Sequence, residues 1–154
     1  MKMQPLKMFI SYCHKDEEFL NELREHLHPL TKKELIEIWH DKDLVAGDHL
    51  DSKILTQLES ADLVVCLISA QYISSYSCFE KELVESFSRM SETNARIIPV
   101  IIKPCSWKET FIVNYLCLPK DGKAIASWGD KDEGYVNVVE EIKKVAEDVK
   151  KNLV

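Results

Sequence analysis

Hydrophobic positions in this chain fall into short continuous runs, separated by stretches where apolar residues recur every three or four positions. Four runs read as strands: Met8 to Tyr12 (MFISY), Leu35 to Trp39 (LIEIW), Leu63 to Ser69 (LVVCLIS) and Arg96 to Ile102 (RIIPVII). A weaker fifth runs from Ala124 to Trp128. The third and fourth are almost unbroken Val, Ile and Leu, as expected for strands covered by helices on both faces, which favours a parallel sheet.

Between the strands lie helical periods. Phe19, Leu20, Leu23 and Leu27 form one stripe of a charged segment expected to stop near Pro29. Leu50, Ile54, Leu58 and Ala61 mark a second helix, opened by Asp48 with Asp51 three residues on. A third, from about Cys78 to Met90, aligns Phe79, Leu83, Phe87 and Met90, and Ser77-x-x-Glu80 supplies its capping box. Pro104 to Lys123 reads as irregular with one helical turn. A last helix runs from Tyr135 to about Lys151, with Val138, Val139, Ile142 and Val145/Ala146 inward. Strand and helix alternate, so the expected fold is a doubly wound parallel α/β sheet with right-handed crossovers.

Composition narrows the picture. The 154 residues, 45% hydrophobic and 30% charged, suit a single domain spanning 1–154 with a core over about 6–145. The closing Lys150-Lys151-Asn152-Leu153-Val154 suggests a module cut from a longer protein. With 26 acids against 20 bases and a formal charge of −6, no basic patch is available for nucleic acid. No apolar run is long enough to span a bilayer and no signal peptide opens the chain, so a cytoplasmic protein without membrane contact is expected. The five cysteines form no C-x-x-C, and His26 and His28 fall on different helix faces, so no metal site is expected.

In open parallel sheets ligands bind beyond the carboxyl ends of the strands, near the point where strand order reverses. Ser11-Tyr12, Trp39-His40-Asp41 and Ser69 end the first three strands there, and the helix over 78–90 brings Glu82 towards the same rim. Four scattered glycines form neither a dinucleotide fingerprint nor a phosphate loop, and no G-x-S-x-G elbow is present. Glu82 lies about 100° round the helix from its apolar stripe. Cys78 and Ser86, four residues before and after it, are small neighbours that leave room for a ligand. Glu85 is matched to Arg89 as an ordinary surface pair. From pattern alone, the favoured reading of Glu82 is a solvated flank acid near a helix start.

The ordered set MFISY, Trp39-x-Asp41, Lys42-Asp43-Leu44-Val45-Ala46-Gly47, LVVCLIS, Cys78-x-x-x-Glu82-Leu83 and RIIPVII-x-Pro104-Cys105-x-Trp107, followed by Leu118-Pro119-Lys120-Asp121, resembles a Toll/interleukin-1 receptor (TIR) domain of the prokaryotic branch. The resemblance covers roughly Leu6 to Val145 and implies a flavodoxin-like, five-stranded parallel sheet. It also implies an NAD+ glycohydrolase or cyclase that releases nicotinamide and ADP-ribose or its cyclic form, activated by self-association with other TIR domains in antiviral defence. On this resemblance Glu82 is the catalytic glutamate. Ser11, Tyr12, Trp39, Asp43, Cys78 and Phe79 are substrate-binding candidates, with Trp39 equally suited to core packing. NAD+ is then a substrate, and no cofactor is implied.

A lone carboxylate suits that reaction. Nicotinamide leaves as a neutral pyridine and needs no general acid, so what remains to be stabilised is an oxocarbenium-like ribose. A negative charge aimed at it acts on the transition state more than on the ground state. Two positions depart from relatives. Cys78 stands where several active members carry Trp, which leaves base stacking to Phe79, Tyr76 or Trp107, and Ala46 replaces the loop proline of animal receptors. The rival expectation is a non-catalytic interaction module assembling through the BB loop, residues 41–48.

Overall fold

The computed structural model describes residues 4–39, 56–75, 88 and 95–152. In chain order it contains β1 (Leu6–Ser11), a 3-10 turn (His14–Asp16), α1 (Glu17–Lys32), β2 (Ile36–Trp39), β3 (Leu63–Ile68), α2 (Ala70–Ser74) and β4 (Arg96–Ile101). Four further 3-10 turns, at Trp107–Glu109, Phe111–Asn114, Lys120–Gly122 and Ile125–Ser127, lead into α3 (Lys131–Asn152). The strands are parallel in the order β2-β1-β3-β4. The chain therefore winds outward from β1 to β2 and returns to β3 and β4 on the other side. The reversal point lies between β1 and β3.

Alternation along each strand sorts the core into two layers. Met8, Ile10 and Tyr12 of the first strand and its exit, with Val65, Leu67 and Val100, meet Leu20, Leu23, Leu27 and Leu30 of α1 and Val138, Ile142 and Ala146 of α3. Phe9, Val64, Cys66, Ile68 and Ile101 face the opposite way, onto Leu58, Tyr72, Ile112, Cys117 and Ala124. Every residue of β3 is buried, as its unbroken apolar run requires.

Helix ends follow their charges. Glu17 and Glu18 open α1, while Asp132 and Glu133 open α3 and Lys150 and Lys151 close it, each complementing the helix dipole. The expected stop of α1 near Pro29 is displaced to Lys32. Pro29 sits inside the helix, and the missing N–H costs one bond in the final turn. Burial of Leu30 and the bonds from Lys33 N to Pro29 O (3.1 Å) and Leu35 N to Leu30 O (3.1 Å) offset that loss.

Four strands, not five, are present among the described residues. The stretch expected as the fifth, Ala124 to Trp128, curls instead: Ser127 N bonds Ala124 O (2.8 Å) and Trp128 N bonds Ile125 O (3.1 Å). The free edge of β4 is met at Leu118, which forms an isolated parallel bridge with Val100 by donating to Pro99 O (2.9 Å) and accepting from Ile101 N (2.7 Å). Pro119 follows and has no N–H to extend the ladder. The architecture remains the flavodoxin-like doubly wound sheet.

Candidate functional site

The carboxyl ends of β1, β3 and β4 gather the buried polar side chains of the described residues: Ser11, Asp16 and Ser69. Ser11 ends β1, is 2% exposed, and shares a 2.8 Å hydrogen bond with the Tyr72 hydroxyl of α2. Ser69 follows β3 and caps α2, its Oγ accepting from Tyr72 N at 3.0 Å. That same hydroxyl donates to Asp16 Oδ2 at 2.5 Å. The other oxygen, Oδ1, faces Lys103 Nζ at 2.5 Å in an ion pair without hydrogen-bond geometry. Lys103 follows β4 and also lies over the Phe19 ring, 5.8 Å from its centroid.

Asp16 was absent from the sequence candidates for a physical reason. An aspartate just before an apolar-periodic helix reads as an N-cap. Asp16 does occupy that position of α1, yet its side chain makes no capping bond and turns inward to Ser69 and Lys103. Tyr72 and Lys103 carried no local signal either, since their partners lie 61 and 87 residues away in sequence.

The candidates do not all share one face. Ser11 points to the layer containing Tyr72, whereas Tyr12 packs in the opposite layer with α1, its ring 5.5 Å from that of His14. Trp39 ends β2 half-buried and stacks on Phe9, its partner in register, with ring centroids 5.3 Å apart and planes at 22°. Asp43, Cys78, Phe79 and Glu82 lie outside the described residues, as do the capping residues Ser77 and Glu80 and the BB-loop stretch 41–48.

Below the end of β4 a cleft of about 400 Å³ opens between Trp107, Cys105, Lys108 and Lys123 over a floor of Ile101 and Ala124. Its wall depends on Gly122, which has φ +69°, and a Cβ there would stand 2.8 Å from Trp107 Cζ2. Burial pushes the Cys105 thiol up from its ordinary range, and the Asp16 charge adds to that shift. A backbone hydrogen bond at Trp107 partly opposes that shift. Among the described residues no group of three His, Cys, Asp or Glu is placed to hold a metal ion. No described helix is long and apolar enough to cross a membrane.

A parallel sheet wound both ways from a reversal point, with polar side chains gathered at its carboxyl rim, defines a flavodoxin-like α/β domain. Residues 8–137 match the description of the TIR domain, and the chain belongs to that family. It is 31% identical over 139 residues to the uncharacterized protein y4lF of Sinorhizobium fredii, covering 90% of this chain and 43% of that protein. The TIR domain of the Toll-related receptor TRR-2 from Hydra magnipapillata is similar in structure, with a TM-score of 0.62 and 21% identity over 93% of this chain and 97% of that one. The TIR domains of the activated Roq1 resistosome, which recognizes the effector XopQ, superpose with a TM-score of 0.66 and 18% identity, covering 89% of this chain and 99% of theirs.

Proposed function

We propose that this TIR domain cleaves NAD+ at the nicotinamide–ribose bond, releasing nicotinamide and ADP-ribose or its cyclic form, with Glu82 as the catalytic carboxylate. The observation that supports the reading is the motif Cys78-x-x-x-Glu82-Leu83, which lies within the span 8–137 matched to the family and resembles the glutamate-bearing third-helix motif of NAD+-cleaving members. Glu82 stabilises the oxocarbenium-like ribose as the neutral pyridine departs, so no second acid is required. Asp43, Cys78 and Phe79, with Ser11, Tyr12 and Trp39, complete the proposed binding set. Activation by self-association in a cytoplasmic, prokaryotic antiviral pathway is part of the same proposal. The Roq1 TIR domains, which belong to a resistosome, support the association step.

A non-catalytic assembly module is the second reading. It is favoured by exposed apolar side chains in one short stretch, where Val113 and Tyr115 precede Leu116, itself 88% exposed. One assay separates the two. The protein is concentrated, NAD+ is added and nicotinamide is followed by NMR. Glu82→Ala and Glu82→Gln are each expected to slow its release by about 100-fold or more. Equal release from all three proteins removes Glu82 from the mechanism, and no release at any concentration leaves the assembly module.

A further inference from the structure

We infer that Asp16 is a positioning residue of the carboxyl rim: through Ser69 it fixes the start of α2, and through Tyr72 it fixes the Ser11 hydroxyl. The inference rests on the NAD+-cleaving reading and deepens it. The bonds form one path. Lys103 Nζ meets Asp16 Oδ1 at 2.5 Å, Ser69 Oγ donates to Asp16 Oδ2, Tyr72 N donates to Ser69 Oγ at 3.0 Å, and the Tyr72 hydroxyl shares 2.8 Å with Ser11 Oγ. That path joins the exits of β1, β3 and β4 to the turn before α1 and to α2.

Stability does not account for such a cluster. The Asp16 side chain is wholly buried and that of Lys103 is 32% exposed, and burying an ion pair gains little over apolar residues of similar volume. Both oxygens of the buried Asp16 carboxylate are engaged, Oδ1 by the Lys103 ammonium and Oδ2 by Ser69, so its orientation is set from two strand exits at once. Its place is the reversal point between β1 and β3, where doubly wound sheets bind ligands. In sequence, α2 leads towards the stretch that carries Cys78 and Glu82. A polar cluster whose ion pair adds little stability, set at this point of the fold, holds geometry.

The test compares the wild type with Asp16→Asn, Lys103→Met and the apolar double variant Asp16→Leu/Lys103→Met. Three quantities are read: melting temperature, hydrogen exchange of the Tyr72 amide, and nicotinamide release from NAD+. A positioning role predicts that the double variant melts at or above the wild type while its kcat falls at least about tenfold with KM within about threefold. It also predicts that the Tyr72 amide exchanges at least about tenfold faster in Asp16→Asn, which preserves shape and removes the charge. A double variant as stable and as active as the wild type overturns the inference and leaves the NAD+ reading standing. A wild type without turnover ends the NAD+ reading instead, and unchanged Tyr72 exchange in Asp16→Asn then ends the positioning role by itself. Should the double variant fail to fold, the kinetic split and the exchange rate in Asp16→Asn decide the matter.

Discussion

The two faces of this sheet are covered by different means. One carries two long helices, α1 and α3, whose buried positions repeat at helical spacing and are nearly all aliphatic. Among the described residues, the other is covered by the five-residue α2, the helical residues 56–60 and several 3-10 turns, with Phe9, Tyr72, Cys66 and Cys117 among its buried residues and Trp39, Trp107 and Cys105 packed against them. The first face is a periodic seam that a single helix register satisfies. The described part of the second is assembled from short pieces that close polar groups locally, as Thr110 does by accepting from Ile112 N (3.2 Å) while donating to Trp107 O (2.7 Å). The described pieces of the second face bring the Tyr72 hydroxyl to the rim and wall the cleft at Trp107.

The largest expected effect tests that difference directly. Leu27 of α1 is fully buried in the cluster that α1 and α3 form with one face of the sheet. Leu27→Ala is expected to cost about 3–5 kcal/mol, read by chemical denaturation. Ile112 is equally buried on the second face but belongs to a 3-10 turn, whose shorter elements have more freedom to relax into a cavity. Ile112→Ala is therefore expected to cost only about 2 kcal/mol, the lower end of the same range. Equal losses from the two substitutions break the comparison.

A smaller effect belongs to the second face alone. Cys117 is buried beside Ile112 O (3.8 Å) and Tyr115 O (3.5 Å), and burial pushes its thiol from 9.0 up to about 11. The unfolded chain loses this proton first. The folded state is thus favoured while the thiol is protonated in both, and that contribution is lost as pH rises from about 9 through about 11. Denaturation midpoints from pH 8 to 11 should fall more steeply in the wild type than in Cys117→Ala, with a difference on the order of 1 kcal/mol. Parallel curves mean that the thiol is reached by water and that this face is looser than its packing indicates.

The same contrast explains what could be read from the chain before its structure. Strands β1 to β4 were legible to within two residues because each is a compact apolar run, and α1 and α3 because a stripe repeats over several turns. Local pattern failed where distant partners decide. Ala124 and Ile125 are buried in opposite layers as strand neighbours would be, yet the segment curls, and Ala126 N bonds Ile102 O (3.0 Å) just past β4. The α2 helix is too short to show a period, and only its cap, Ser69, marks it. At the rim, strand-end position was enough to nominate Ser11 and Tyr12, but their opposite faces follow from strand parity. Asp16 carries no local signal of its role, because nothing near it in sequence reveals that Ser69 and Lys103 converge on it.

The smallest expected effect concerns the edge of the regular face, where Arg96 at the start of β4 pairs with Asp148 of α3 at 2.8 Å. Both side chains are about half exposed, at 44% and 53%, so water screens the pair and ordering two flexible side chains offsets much of the attraction. If apolar periodicity is what fastens α3 to the sheet, a double-mutant cycle over Arg96→Gln and Asp148→Asn should return a coupling of about 0.5 kcal/mol or less near 0.15 M salt. The neighbouring contact from Lys150 Nζ to Glu34 O, at 3.4 Å, lies at the same end of the helix and sets a second polar anchor against which to judge the first. A coupling well above about 1 kcal/mol would make the α3 seam partly electrostatic, and its strength would then fall with added salt, which burial of Val138, Ile142 and Ala146 does not.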